Sequence, residues 1–277
     1  MKKIFLSLVL AISMMASAQV FEVGQLTKLN TPTDTDVKVA GVSPDGSYVL
    51  ITNGANQGLR RYDVTTGKTT TITTADGAGF NVQISKNGQE LVYRETSFDK
   101  QGLRKNNIIR HDLAASKTTT IAKGQRDMMA MANSGANVSV SINDRKIALQ
   151  KNGKTIILAP NGGHQSYIWP SVSPDGTKLC YYVCGVGCYV SNLDGSNVRF
   201  ISRDCRAAQW YDNNTLVAMA DKDNGHYVTS SAIVAYTLDG KKQVLTGNSI
   251  IAMFPYVAEN VIVFSTDEGE TYMLNVK

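Results

Sequence analysis

The chain has 277 residues, 43% hydrophobic and 18% charged, enough apolar material for a sizeable core and too much for a mainly disordered chain. Its 28 basic and 23 acidic residues leave a net charge of only +5, evenly spread, which argues against a nucleic-acid partner. Three His and four Cys limit metal or nucleophile chemistry.

In chain order, the first feature is an address. Lys2 and Lys3 precede an apolar run, Ile4 to Met15, broken only by Ser7 and Ser13. Ala16-Ser17-Ala18 then forms a small-x-small cleavage pattern. The run is too short to span a bilayer comfortably. Residues 1–18 are therefore read as a secretory signal and 19–277 as a single mature domain without a membrane span. The first cysteine is Cys180, which excludes a lipid anchor at the cleavage site. The expected location is periplasmic or secreted, in an oxidising compartment, with no lipoprotein character.

The rest of the chain repeats. Ser43-Pro44-Asp45-Gly46 returns as Ser173-Pro174-Asp175-Gly176. Looser copies are Ser85-Lys86-Asn87-Gly88, Ser141-Ile142-Asn143-Asp144, Tyr211-Asp212-Asn213-Asn214 and the shorter Ala258-Glu259-Asn260. Asp or Asn caps its own backbone there, and Gly or Asn accepts a positive φ. Apolar residues at spacing two follow each turn, as in Val49 and Ile51, Leu91 and Tyr93, or Leu179 and Tyr181, the mark of a strand with one buried face. A third strand ends in Asp or Asn (Arg61-Tyr62-Asp63, Arg110-His111-Asp112), and a fourth is Thr-rich or β-branched (Lys68 to Thr74, Lys117 to Ala122). Six four-stranded units of about 43 residues fit an all-β, six-bladed β-propeller. The last unit stops at its third strand, and Gln25 to Leu29 reads as a fourth strand with nothing before it, so the N-terminal strand is expected to complete the last blade and close the ring. Blade 3 has little room for a fourth strand.

These Ser-Pro-Asp-Gly turns, each followed by an apolar strand and a third strand ending in Asp, resemble the WD-type repeats of TolB-like propellers. They are also similar to the propeller domains of dipeptidyl-peptidase and prolyl-oligopeptidase enzymes. The resemblance covers most of the mature chain and implies the fold, while such propellers serve many ends. Two departures matter: no α/β domain precedes the propeller as in TolB, and no Gly-x-Ser-x-Gly elbow of a hydrolase is present.

Propeller topology sorts the loops. The Ser-Pro-Asp-Gly turns share one face. The long segments, 96–106, 124–136, 160–167 and 221–231, share the other, and binding residues favour long loops on a rigid scaffold. Candidates there are Arg104, Arg126, Asp127, His164, Tyr167, Trp169, Arg203, Asp204, Arg206, His226 and Tyr227. The expected partner is a protein, peptide or glycan held by a monomeric, non-catalytic module without a cofactor. The alternative is a carbohydrate-active lyase or hydrolase with its site at the channel mouth. Some TolB-like propellers are pectate-type lyases with a His-held metal, a pattern needing more His than His164 and His226 with Asp204, Asp221 or Asp223 supply. The hairpin Cys184 to Cys188 suggests one disulfide, leaving Cys180 with Cys205 as a second between blades 4 and 5.

Overall fold

A computed structural model describes residues 19–32, 36–125, 138–152 and 154–277; the expected signal, 1–18, lies outside them. Strand β1 (Val23–Leu29) comes first. Blade 1 holds β2 (Val37–Val42), β3 (Tyr48–Asn53), β4 (Leu59–Asp63) and β5 (Thr69–Thr73). Blade 2 holds β6 (Gln83–Ile84), β7 (Glu90–Phe98), β8 (Arg104–Asp112) and β9 (Lys117–Gln125). Blade 3 holds β10 (Val138–Asn143), β11 (Lys146–Lys151) and β12 (Lys154–Leu158). Blade 4 holds β13 (Tyr167–Val172), β14 (Lys178–Val183), β15 (Gly187–Asn192) and β16 (Arg199–Ser202). Blade 5 holds β17 (Arg206–Trp210), β18 (Thr215–Asp223), β19 (Val228–Thr237) and β20 (Lys242–Val244). Blade 6 holds β21 (Ala252–Ala258), β22 (Val261–Thr266) and β23 (Thr271–Val276), with β1 as its outer strand. All pairings are antiparallel, and the architecture is the six-bladed propeller expected.

Closure works through the ends. Leu26 opposes Leu274 and Thr27 opposes Met273. Glu22 and Lys277 exchange two backbone hydrogen bonds, and Phe21 lies in the core between blades 5 and 6. The blade edge that would otherwise carry unpaired backbone groups is thus occupied.

The repeated turn is built by its side chains. Gly46 N donates to Ser43 O, Ser47 N donates to Asp45 Oδ1, and Tyr48 N donates to Ser43 Oγ. The same three bonds recur at Ser173, Asp175 and Gly176, and at Ser85, Asn87 and Gly88. Gly46, Gly88 and Gly176 sit at φ near 70°, where a Cβ is disfavoured. Blade 3 departs from the expected turn at Ser141. Its strand runs on to Asn143, and the reversal is the two-residue Asp144-Arg145 with φ of 44° and 62°.

Apolar clusters fill the interfaces between blades 6 and 1, 1 and 2, 3 and 4, 4 and 5, and 5 and 6. Among the described residues no such cluster joins blades 2 and 3.

The expected disulfides are corrected: all four cysteines are free. Strand β14 ends at Val183, opposite Gly187, so Cys184 falls in the turn and is exposed rather than facing Cys188. Cys188 opposes Tyr182 and shares a face with Cys180, their sulfurs 3.6 Å apart. Cys205 is buried in the same blade 4–5 core. Contact with the Cys188 thiol and burial push the Cys180 thiol well above its ordinary pKa.

Candidate functional site

The inner strands of blades 4, 5 and 6 each carry a bulge near the long-loop face: Ile168 to Ser171, Arg206 to Gln209 and Met253 to Tyr256. Trp169, Ala207 and Phe254 occupy them, each with φ near 50°. Positive φ in a bulky residue is uncommon and costs roughly 1–2 kcal/mol. In blades 4 and 6 the aromatic precedes Pro170 or Pro255, and proline is tolerated at a bulge on the free inner edge. Backbone strain thus coincides with aromatic rings at the channel mouth.

Each ring has a cation. Arg206 lies 5.8 Å from the centre of Trp169, and Lys38 of blade 1 lies 5.4 Å from that of Phe254. Arg94 of β7 lies 4.2 Å from Phe80, in the β5–β6 connection. Trp169 also meets Tyr182 edge-to-face at 5.6 Å. Such pairs contribute about 0.5–1 kcal/mol each where exposed.

Arg206 holds the best-defined contact of this collar. Its Nη1 donates to Asp221 Oδ2 at 2.6 Å, and the Asp221 side chain is only 3% exposed. Arg206 Nε and Asp221 Oδ1 are buried without hydrogen-bond partners among the described residues. The ion pair belongs wholly to blade 5, and Trp169 and Tyr182 of blade 4 bring it to the junction.

Two hairpins stand above the mouth. β7–β8 and β18–β19 pair over nine or so residues, whereas the equivalent hairpins of blades 1 and 4 stop sooner, at Ile51–Arg60 and Val183–Gly187. About three extra residues per strand add roughly 10 Å. Blades 2 and 5 are three apart, on opposite sides of a six-membered ring. Their tips expose Phe98 (66%), Leu103 (64%) and Tyr227 (68%).

The sequence candidates separate accordingly. Trp169 and Arg206 meet in the collar. Arg104, opposite Phe98, sits at one hairpin tip, and His226 with Tyr227 at the other, their amides both donating to Asn224 Oδ1. His164 is exposed in the β12–β13 connection. Arg203 and Asp204 form the exposed turn before β17. Arg203 O accepts from Tyr182 OH, and Asp204 pairs with Lys242 at 3.8 Å. Tyr167 is 1% exposed, so it presents no surface to a ligand. Its hydroxyl accepts from Asn161 N, donates to Gly162 O and braces the loop from within, and burial raises its pKa. Arg126 and Asp127 lie outside the described residues. Among the described residues no three His, Cys, Asp or Glu side chains are grouped to hold a metal.

Phe254, Lys38, Phe80 and Arg94 were missed. Phe254-Pro255 stands four residues before the turn residue Ala258, as Trp169-Pro170 stands before Ser173, and that shared spacing was the available signal.

No protein-family profile matches the chain, and no curated protein matches it in sequence. Solved structures do resemble it. A protein described as TolB from Agrobacterium tumefaciens matches at 14% identity and TM-score 0.58, over 91% of this chain and 96% of that one. TolB from Acinetobacter baumannii matches at 11% identity and TM-score 0.50, over 86% of this chain and 63% of the other, so the likeness leaves more than a third of that protein unmatched. Oligogalacturonate lyase from Vibrio parahaemolyticus matches at 13% identity and TM-score 0.49, over 92% and 96%. At such identities the likeness concerns fold, and the fold of this chain is the six-bladed propeller seen in TolB proteins.

Proposed function

We propose that this protein is an exported binding propeller that holds a partner on its long-loop face. The collar carries the reading: two aromatic rings placed by strained bulges and a third, Phe80, in the β5–β6 connection, each beside a cation, below two tall hairpins with apolar tips. Strain and exposed apolar area are both unfavourable in an isolated domain, and both recur at binding sites. Of protein, peptide and glycan partners, the exposed Phe98, Leu103 and Tyr227 favour a protein or peptide surface, with glycan as the alternative class. Export follows from the signal pattern at 1–18. Among the described residues no helix is long and apolar enough to cross a membrane.

The test is a thermal-shift screen of the mature protein against defined peptides and oligosaccharides, followed by substitution of ligands' expected contacts. Tyr227→Ala and Phe98→Ala are expected to weaken a hit about tenfold or more, in line with loss of an aromatic anchor. Asn87→Ala, on the opposite face, is expected to leave it unchanged. The reverse pattern would place the site on the Ser-Pro-Asp-Gly face.

A further inference from the structure

We infer that the outer edge of blade 3 is a second docking site, which takes an extended, acidic, β-branched segment of a partner protein as a fourth strand. This goes beyond the mouth reading and does not depend on it.

Five blades have four strands, and a fourth strand covers the third. Blade 3 has three among the described residues, and β12 is its edge. The consequence shows in burial. The third strands β15 and β23 are largely buried and β4 has no exposed residue, whereas Lys154, Thr155, Ile156 and Ile157 are all exposed, the two isoleucines at 48% and 53%. Leu158 packs into the blade 3–4 core, so by pleat alternation Ile156 shares its face and Ile157 lies on the other. That other face looks towards blade 2, where the described residues form no apolar cluster.

Among the described residues the backbone is equally open. Lys151 opposes Lys154 and closes the β11–β12 hairpin. Alternation from that hydrogen-bonded pair turns the N–H and C=O of Thr155 and Ile157 outward, ready for a ladder. Strand addition of this kind uses main-chain bonds for affinity and alternate side chains for choice.

Charge selects the occupant. Lys151 and Lys154 face each other directly, an unfavourable like-charge pair across strands. Neither makes an ion pair among the described residues, and no Asp or Glu occurs anywhere from Arg145 to Pro174. A carboxylate on an added strand relieves that repulsion. A second copy of this chain would instead bring another lysine pair to the same edge, and lysine on an edge strand guards against self-pairing.

The experiment uses the mature chain and two labelled eight-residue peptides, one alternating valine with glutamate and one alternating valine with lysine. Fluorescence anisotropy is expected to show binding of the acidic peptide only, weakening with salt. Amide hydrogen exchange is expected to slow at Thr155 and Ile157. The double change Lys151→Glu and Lys154→Glu should weaken the acidic peptide about tenfold or more and admit the basic one. Far-ultraviolet circular dichroism checks the fold of that variant, and Lys154→Gln serves if it fails. Unchanged affinity in these variants, protection confined to the β7–β8 and β18–β19 tips, or a dimer through this edge in sedimentation would each overturn the proposal. Tyr227→Ala separates the two sites, since it should leave this binding intact even where it abolishes binding at the mouth.

Discussion

Arg206 and Asp221 are joined at 2.6 Å, and the Asp221 side chain is only 3% exposed. Removing the cation from a buried pair leaves an uncompensated charge, which costs about 3–5 kcal/mol in a fully buried setting. Arg206 is itself a third exposed, so Arg206→Ala is expected to cost less, about 2 kcal/mol in urea unfolding. Combining it with Asp221→Ala should recover part of that loss. A double variant less stable than the sum of the single ones would contradict the pairing. Arg206 was legible as a candidate from its place at the start of an inner strand. Its partner was not singled out for this role, because nothing in the string Ala220-Asp221-Lys222-Asp223 tells which carboxylate the fold buries.

At the scale of the element, the Ser-Pro-Asp-Gly turn supplies two expectations. Gly176 has φ 71°, so Gly176→Ala should cost about 1–2 kcal/mol, read as a lower Tm. The Asp45 carboxylate accepts from Ser47 N and lies beside the Ser43 and Ser47 hydroxyls, and these hold its pKa below the ordinary carboxylate value. Asp175 is lowered likewise by the Ser173 hydroxyl, then by Thr177. A carboxyl whose folded pKa is depressed contributes stability that is fully present above its unfolded pKa and is lost as pH falls through the folded one. Stability should therefore decline below about pH 4, and Asp45→Asn with Asp175→Asn should flatten that acid limb while lowering stability at neutral pH. An acid limb unaltered by both changes would show that these turns do not titrate as described. The turn was readable because its bonds are local, within five residues. The turn at Ser141 and the cysteines were misread for the opposite reason, although the three-stranded blade 3 was expected. Whether Ser141 begins a turn, or Cys184 faces Cys188, depends on register, and a shift of one residue sends every side chain to the other face.

For the whole molecule, closure joins residues at opposite ends of the sequence. Phe21 is 5% exposed and meets Tyr211 edge-to-face at 4.7 Å, and Gln243 Oε1 accepts from the amides of Val20 and Phe21. Phe21→Ala should cost about 3–5 kcal/mol, as for a core aromatic, despite its place ahead of the first strand. A loss under 1 kcal/mol would mean that the ring is held by other blades. The propeller itself was legible, since six turns, their spacing and the orphan strand at 25–29 all required it. The collar was legible in half: its long-loop face followed from topology, but the pairing of Lys38 with Phe254 spans more than two hundred residues and appears only once the ring is closed.

The central claim, that partners bind at the collar, has a direct optical test. The chain has two tryptophans, Trp169 in the collar and Trp210 in the blade 4–5 core. In a Trp210→Phe variant, emission reports on Trp169 alone. Titration with a peptide or oligosaccharide identified by thermal shift should give a saturable change in that emission, with the affinity reduced by Arg206→Ala. A ligand that binds by calorimetry yet leaves Trp169 emission unchanged, with hydrogen-exchange protection on the Ser-Pro-Asp-Gly face, would contradict the account.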